Sequence, residues 1–334
     1  MTNSNKSFVL ITGTTSGVGL NTLEPLIRGG WEVIAVNRSN LRAKNASIGK
    51  LSKEDLEHIH FVEIDLSDLN QVREGVGHIL NEYGGHLKVI ICNAAVYKPR
   101  LKRPERSMQG YENSMAVNHF GHFLLINLLI EDLTSSNSEI TLNNQKVNFT
   151  PRVTILGTVT ANYNELGGRI PIPAPADLGN LSGFENGFLS PISMANGKRF
   201  KPGKAYKDSK LCNMITVQEL AKRYSPEKLI SNSLYTGCVA NTNLFRNTPW
   251  IFRFLFPLFQ KFITRGYVSQ RLAGERVALV ATNKKFSQSG VHWSWGNRQK
   301  DGREAFSQKL SQRIIDPNTS ERTWKLTKRL VNIN

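Results

Sequence analysis

The sequence predicts an α/β fold, a doubly wound parallel sheet in a single domain with a long insertion loop and a Phe-rich lid segment. Three observations carry that prediction. Short apolar runs recur along the chain, separated by helical patterns. A glycine-rich turn, TGTTSGVG, follows the first of these runs directly. Far down the chain, AYKDSKLCN places Tyr206 and Lys210 four residues apart, one helical turn.

The elements follow in order. FVLIT (8–12) reads as the first strand, and a helical pattern then runs to about Arg28. WEVIAVN (31–37), HFVEIDL (60–66) and LKVIICNAA (87–95) read as the second, third and fourth strands. Runs this short and this apolar suit a parallel sheet buried on both faces. NHFGHFLLINLLIEDL (118–133) predicts a long apolar helix packed on that sheet. RVTILGTVT (152–160) reads as a fifth strand, KAYKDSKLCNMITVQELAKRY (204–224) as a helix, ISNSLYTG (230–237) as a sixth strand and VHWSW (291–295) as a seventh. Two segments interrupt the rhythm. Residues 161–203 form a Gly- and Pro-rich loop, and loops of that length are usually functional or disordered. Residues 245–267 carry six phenylalanines and a tryptophan, interrupted by Arg253, Gln260 and Lys261. One domain, 1–334, is expected: a nucleotide-binding half (7–160), the insertion loop (161–203), and the catalytic helix, substrate lid and C-terminal part (204–334).

Composition narrows the class. A chain of 334 residues, 40% hydrophobic and 21% charged, is that of a soluble globular protein. Its three cysteines, Cys92, Cys212 and Cys238, fit neither a zinc spacing nor a disulfide framework, which points to a reducing compartment. MTNSNKS leads at once into the first strand, so neither a signal nor a transit peptide is expected, and no apolar run is long enough to span a bilayer. The expected location is cytoplasmic. The net charge of +17 suits anionic surfaces or ligands. No nucleic-acid motif or basic-aromatic repeat accompanies it, so nucleic acid is not an expected partner.

The turn at Gly13, Thr15, Ser16, Gly17, Val18 and Gly19 lies between a strand and a helix. There the backbone can approach a pyrophosphate and the helix N-terminus attracts its charge, as in a Rossmann-type nucleotide site. After the second strand comes VNRSNLR, with Arg38 and Arg42 and no acid. An acid would hold a ribose 2′-hydroxyl, whereas arginine forks onto a 2′-phosphate, so NADPH is the predicted cofactor. The GxxxGxG spacing resembles the short-chain dehydrogenase/reductase superfamily. By that resemblance Asp65 and Leu66 flank the adenine, and Asn93 and Ala94 form the turn supporting the nucleotide.

The same resemblance implies a catalytic set of Asn, Ser, Tyr and Lys. Asn118 in VNHFGH matches the asparagine, and Tyr206 and Lys210 match the YxxxK pair. The serine slot falls in LGTVT, at Thr158 by position and with Thr160 as the alternative. On a helix the phenol and the ammonium share a face. A cation about 4 Å away, at an effective dielectric near 20, supplies at most roughly 4 kcal/mol. That would lower a phenol of ordinary pKa about 10 by about three pH units, into the range of proton transfer. His119 and His122 lack a carboxylate or cysteine placed to complete a metal site and read as helix packing residues, so no metal is expected.

Six stretches narrow the resemblance: ICNAAVYKP, VNHFGHFLL, PIPAPADLGNL, KAYKDSKLCN, FPLFQKFIT and SGVHWSWGNRQ. Together they are similar to the light-dependent protochlorophyllide reductase family, over roughly residues 7–332. The resemblance implies light-driven reduction of the C17–C18 double bond of protochlorophyllide to chlorophyllide, in chlorophyll biosynthesis. Hydride would come from NADPH and the proton from Tyr206. It also implies that Tyr206 and Lys210 contact the cofactor, with Asn118 holding Lys210 through a water and Thr158 orienting substrate or Tyr206. Gly237 and Thr242 join the cofactor contacts. Tyr97, Cys238 and Phe245 line the pigment pocket, with Cys238 a second candidate proton donor. The family reads YPGC where this chain has Tyr235-Thr236-Gly237-Cys238, a change expected to loosen that turn slightly. The Phe-rich segment is expected to cover the pigment. It is also expected to meet an anionic photosynthetic membrane peripherally, or another copy of the chain as a homo-oligomer with substrate bound. Two other readings compete: a light-independent NADPH-dependent short-chain reductase of a carbonyl or retinoid-like substrate, and a non-catalytic NADPH-binding scaffold.

Overall fold

The apolar runs form strands because both of their faces are covered. The computed structural model describes residues 6–136, 138–171, 173–242, 244, 246–248, 250–263, 266–295 and 304–333, the side chain of Phe252 excepted. The first half alternates strand and helix: β1 (Phe8–Thr12), α1 (Gly17–Arg28), β2 (Glu32–Asn37), α2 (Asn40–Ile48), α3 (Lys53–Glu57), β3 (Ile59–Glu63), α4 (Leu69–Tyr83) and β4 (Leu87–Cys92). Every residue of β1, β2 and β4 is buried. A helix follows in two pieces, α5 (Asn113–Met115) and α6 (His122–Ser135), joined by a π-helical turn over Ala116–Gly121. The hairpin β5 (Glu139–Leu142) and β6 (Gln145–Asn148) precedes β7 (Arg152–Leu156). Single helical turns α7 (Leu166–Arg169) and α8 (Ser182–Glu185) interrupt the long loop. The 22-residue helix α9 (Pro202–Arg223) then leads into β8 (Ile230–Tyr235). The C-terminal part holds α10 (Trp250–Leu258), α11 (Gln270–Thr282), β9 (Val291–Ser294), β10 (Phe306–Ser307), α12 (Gln312–Ile315) and α13 (Pro317–Leu330).

The main sheet runs β10-β9-β8-β7-β4-β1-β2-β3. Its pairings are parallel except β10 on β9. One apolar core gathers residues of α4, α6 and α9 on one face, and a second gathers α1 and α11 on the other. The chain is therefore doubly wound, and the strand order reverses between β1 and β4. Ligand crevices in such sheets lie outside the carboxyl ends of the strands at that reversal.

Three differences from the sequence reading have physical causes. First, β4, β7 and β8 stop at Cys92, Leu156 and Tyr235, short of the apolar runs' ends. Beyond those points the backbone leaves the ladder, and the released residues form the crevice. Second, the β5–β6 hairpin lay in a stretch with no assigned element. Its turn places Asn143 and Asn144 at positive φ, 47° and 63°, the left-handed region asparagine tolerates. Third, the Phe-rich segment folds as α10 followed by a π-helical turn over Phe259–Ile263. Its apolar side chains face outward: Trp250 is 71% exposed, Phe254 66% and Phe262 65%. Core packing does not explain them.

Candidate active site

The glycine turn is shaped by β2. Asn37 Oδ1 accepts from Thr14 N at 2.7 Å, and Asn37 Nδ2 donates to Thr14 Oγ1 at 2.8 Å. A Cβ at Gly19 would lie 2.2 Å from Gly13 O and 2.5 Å from Asn93 Nδ2, so only glycine lets the helix start so close to the strand. Gly17 adopts φ +62°, and a Cβ there would touch Thr242 at 3.9 Å. The Ser16 side chain does not cap α1, and the first turn carries no acid. The first N–H groups of that helix therefore face the open side of the turn, where a pyrophosphate fits. Arg38 and Arg42 are exposed at the end of β2 and beyond. Neither guanidinium has an ion-pair partner among the described residues. A nucleotide carrying a 2′-phosphate fits this donor set. Asp65 Oδ1 accepts from Ser67 N at 2.9 Å and Ser67 Oγ at 2.7 Å, and Leu66 is buried against Gly121.

The turn at Asn93 and Ala94 is tied to β1. Asn93 N and Ala94 N both donate to Thr12 Oγ1 at 3.0 Å, and Asn93 Nδ2 donates to Thr12 O and Gly13 O at 2.8 and 2.9 Å. His122 Nε2 lies 2.8 Å from the same Thr12 hydroxyl, and its Nδ1 lies 3.1 Å from Asn118 O. His119 lies 3.2 Å from Asn213 Oδ1 and 3.1 Å from Thr327 Oγ1. Both rings are fully buried, and burial lowers them, His119 to about 3 and His122 to about 4, so they are neutral hydrogen-bonding struts.

Asn118 sits in the π-helical turn, an irregularity frequent at functional sites. Its Oδ1 accepts from Val96 N at 2.8 Å, while its Nδ2 donates to Val96 O at 3.1 Å and to Ser209 Oγ at 3.0 Å. Ser209 Oγ donates to Tyr206 O at 2.7 Å. Asn118 thus joins the strand end that carries Tyr97 to the helix that carries Tyr206 and Lys210. The rings of Tyr97 and Tyr206 pack at 4.9 Å between centroids. Thr158 Oγ1 lies 3.2 Å from Thr160 Oγ1, so both candidate hydroxyls are in the crevice and bonded to each other.

The electrostatics correct one expectation. Lys210 does not acidify Tyr206 in this structure. Lys210 Nζ donates to Leu156 O at 2.8 Å, and burial lowers its ammonium to about 8. Burial, aided by Tyr97, raises the Tyr206 phenol well above the ordinary tyrosine range. Desolvation penalises the charged form of each group and is the largest cause of both shifts. The phenol stays loaded with its proton.

Cys238 lies in the turn after β8. Its N–H donates to Gly266 O at 3.0 Å, its carbonyl accepts from Val268 N at 2.9 Å, and burial pushes its thiol up to about 12. At Thr236 the turn is braced from outside: Arg276 donates to Thr236 O at 2.6 Å and lies over the Trp295 ring. Phe245 lies outside the described residues. Thr12, Asn37, Ser209 and Arg276 escaped the sequence reading, whereas His122 reads there as a helix packing residue. Ser209 carried a weak signal, standing between the paired Tyr206 and Lys210, and the others carried none.

A glycine turn opening a helix at the sheet's reversal, with Asn118, Tyr206 and Lys210 on adjoining helices, defines a nucleotide-dependent oxidoreductase of the short-chain dehydrogenase class. The family described as short chain dehydrogenase matches residues 7–141. Over 332 residues the chain is 42% identical to "Protochlorophyllide reductase, chloroplastic" of Cucumis sativus, covering 98% of this chain and 78% of that one. It is 42% identical to a protein of the same description from Marchantia paleacea, with 97% and 68% covered. The protein so described from Chlamydomonas reinhardtii is 38% identical, with 98% and 79% covered. The chain belongs to the protochlorophyllide reductase family. Among solved structures, a 3-ketoacyl-(acyl-carrier-protein) reductase from Brucella melitensis complexed with NADH superposes with TM-score 0.60 at 19% identity, covering 89% of this chain and 99% of that one. A putative uncharacterized protein from Mycobacterium paratuberculosis reaches TM-score 0.66 at 20% identity, with 99% and 95% covered. At such identities the likeness is one of fold.

Proposed function

We propose that this protein reduces the C17–C18 double bond of protochlorophyllide in light, with Tyr206 as the proton donor. The observation that carries the residue assignment is the Asn118–Ser209–Tyr206 connection beside the Tyr97 ring. A phenol and an aromatic wall at the same end of the sheet as the glycine turn support this reading. NADPH, when bound, supplies the hydride to the light-excited pigment at C17. The chain's own residues do the rest. The open N-terminus of α1 would hold the pyrophosphate, and Arg38 and Arg42 would hold the 2′-phosphate. Tyr206 releases its proton to C18 once hydride addition has made that carbon basic. Lys210, charged below about 8, stabilises the phenolate left behind and binds the nicotinamide ribose. Asn118 keeps α9 in register with the β4 turn, and Thr158 orients the pigment. Cys238, a neutral thiol, packs against the pigment.

A flash experiment tests this reading. Protein, NADPH and protochlorophyllide are expected to show a red-shifted product band after illumination and no change when kept dark. Equal conversion in the dark would assign the chain to the light-independent carbonyl reductases. Binding of NADPH with no conversion under either condition would make it a scaffold.

We further propose that the outward face of α10 rests on an anionic photosynthetic membrane. Exposed Trp250, Ile251, Phe254 and Leu255 supply apolar area, and Arg253 and Lys261 lie among them in a chain of net charge +17. None of the described helices is long and apolar enough to cross a bilayer. The protein is expected to co-sediment with anionic vesicles, and Trp250→Glu with Phe254→Glu is expected to abolish that. Equal sedimentation of parent and variant would refute the assignment.

A further inference from the structure

Helix α9 has a second polar edge that the reaction does not use. Lys204, Lys207 and Asp208 stand at i, i+3 and i+4 and share one side of the helix. All three are buried, at 6%, 6% and 0% exposure. Lys207 Nζ donates to Ile170 O at 3.1 Å and to Ala174 O at 3.0 Å. Lys204 Nζ donates to Asp177 O and to Asp208 Oδ2, each at 2.5 Å. Asp208 Oδ1 accepts from Asp177 N at 2.9 Å. One short face of the catalytic helix therefore grips the backbone of the insertion loop at Ile170, Ala174 and Asp177.

The sequence of the gripped stretch explains why it needs gripping. In IPIPAPAD, Pro171, Pro173 and Pro175 alternate with other residues and have no N–H to donate. Such a strap cannot build its own hydrogen-bond ladder, yet its carbonyls still need donors. An ammonium with three donors, held at the helix surface, supplies them. The strap also passes close to the reacting side of α9. A Cβ at Gly203, one turn before Tyr206 on the same side, would lie 2.8 Å from Pro173 Cδ. The segment that carries the strap leaves the sheet after Leu156, passes Thr158 and returns at α9, so it borders the crevice at both ends.

We propose that Lys207 is a positioning residue for the pigment. It fixes the 170–177 strap to the helix of Tyr206, so that the loop wall and the proton donor form one rigid body before substrate enters. The proposal rests on the pigment-reductase reading for its kinetic consequence, and on geometry alone for the strap itself.

The test uses the full chain with NADPH bound. Lys207→Met keeps the stem and removes the donors. The KM for protochlorophyllide is expected to rise about tenfold, as loss of charge-assisted hydrogen bonds implies, with kcat within about twofold. NADPH affinity is expected to be unchanged. Lys207→Arg, which retains donors, is expected to bring KM back to within about threefold of the parent. Without pigment, trypsin is expected to cut after Arg169, next to the held Ile170 carbonyl, about tenfold faster in Lys207→Met than in the parent. If that variant does not fold, Gly203→Ala replaces it: the added methyl pushes Pro173 away and is expected to raise KM alone, by about threefold. An unchanged KM and unchanged cleavage would overturn the proposal, as would kcat falling in step with KM. If the parent itself fails to convert pigment, the function is wrong, and the cleavage rates alone then decide whether Lys207 holds the strap.

Discussion

Replacing Tyr206 with phenylalanine is expected to slow chlorophyllide formation after a flash by about 10²- to 10⁴-fold, the usual worth of a positioned general acid. The substitution keeps the ring packed on Tyr97 and removes only the hydroxyl, so folding and NADPH binding should be preserved. Loss of the phenol removes the proton and not the hydride, so the defect should appear after the light-dependent step. Time-resolved absorbance checks this: the early pigment transient should form normally and its decay to product should stall. If the variant forms product at the parent rate, Tyr206 is not the donor. Cys238 would then be the group to replace, since its thiol, pushed up to about 12, also keeps its proton at neutral pH.

The second large effect is on pH dependence, through Lys210. Burial lowers its ammonium from the ordinary lysine value of 10.5 to about 8. A lysine lowered in this way is charged below that pH and neutral above it. Stabilisation of the departing Tyr206 phenolate therefore holds below about 8 and is lost as pH rises through it. Product formation is expected to fall about tenfold for each pH unit beyond that point, as loss of one essential proton requires. The buried Cys92 thiol and the Tyr206 phenol are both raised out of this window and do not contribute to the limb. Lys210→Met is expected to lower the rate about 100-fold at neutral pH and to flatten the alkaline limb. A parent profile without any fall up to pH 10, or a variant profile that keeps the parent's fall, would exclude Lys210 from the step.

The parts of the site that could be read from sequence are those whose chemistry demands an uncommon residue at a set spacing. Gly13, Gly17 and Gly19 mark a backbone that must bend and let another chain segment close in. Arg38 stands where an acid would serve the unphosphorylated cofactor. Tyr206 and Lys210 are one helical turn apart. The partners of the supports were not readable, even for His122, which reads as a helix packing residue. Ser209, Asn37 and His122 are ordinary polar residues in their own neighbourhoods, and their partners lie 91, 23 and 110 residues away. Only folding brings those partners within 3.0 Å. Lys207 likewise looks like one more positive charge in a chain with many, until burial and two carbonyls single it out. The sign of the Tyr206 shift was misread for a related reason. Spacing reveals the neighbouring cation but not how much water each group has lost.

By itself the sequence determined the doubly wound sheet and the glycine turn that opens its first helix, because periodicity and glycine placement are local properties of the chain. The tertiary structure decided which groups carry charge, which polar residues brace the site, and that the Phe-rich helix faces outward. Those outcomes depend on desolvation and on contacts between distant segments, and both come into being only when the chain has packed.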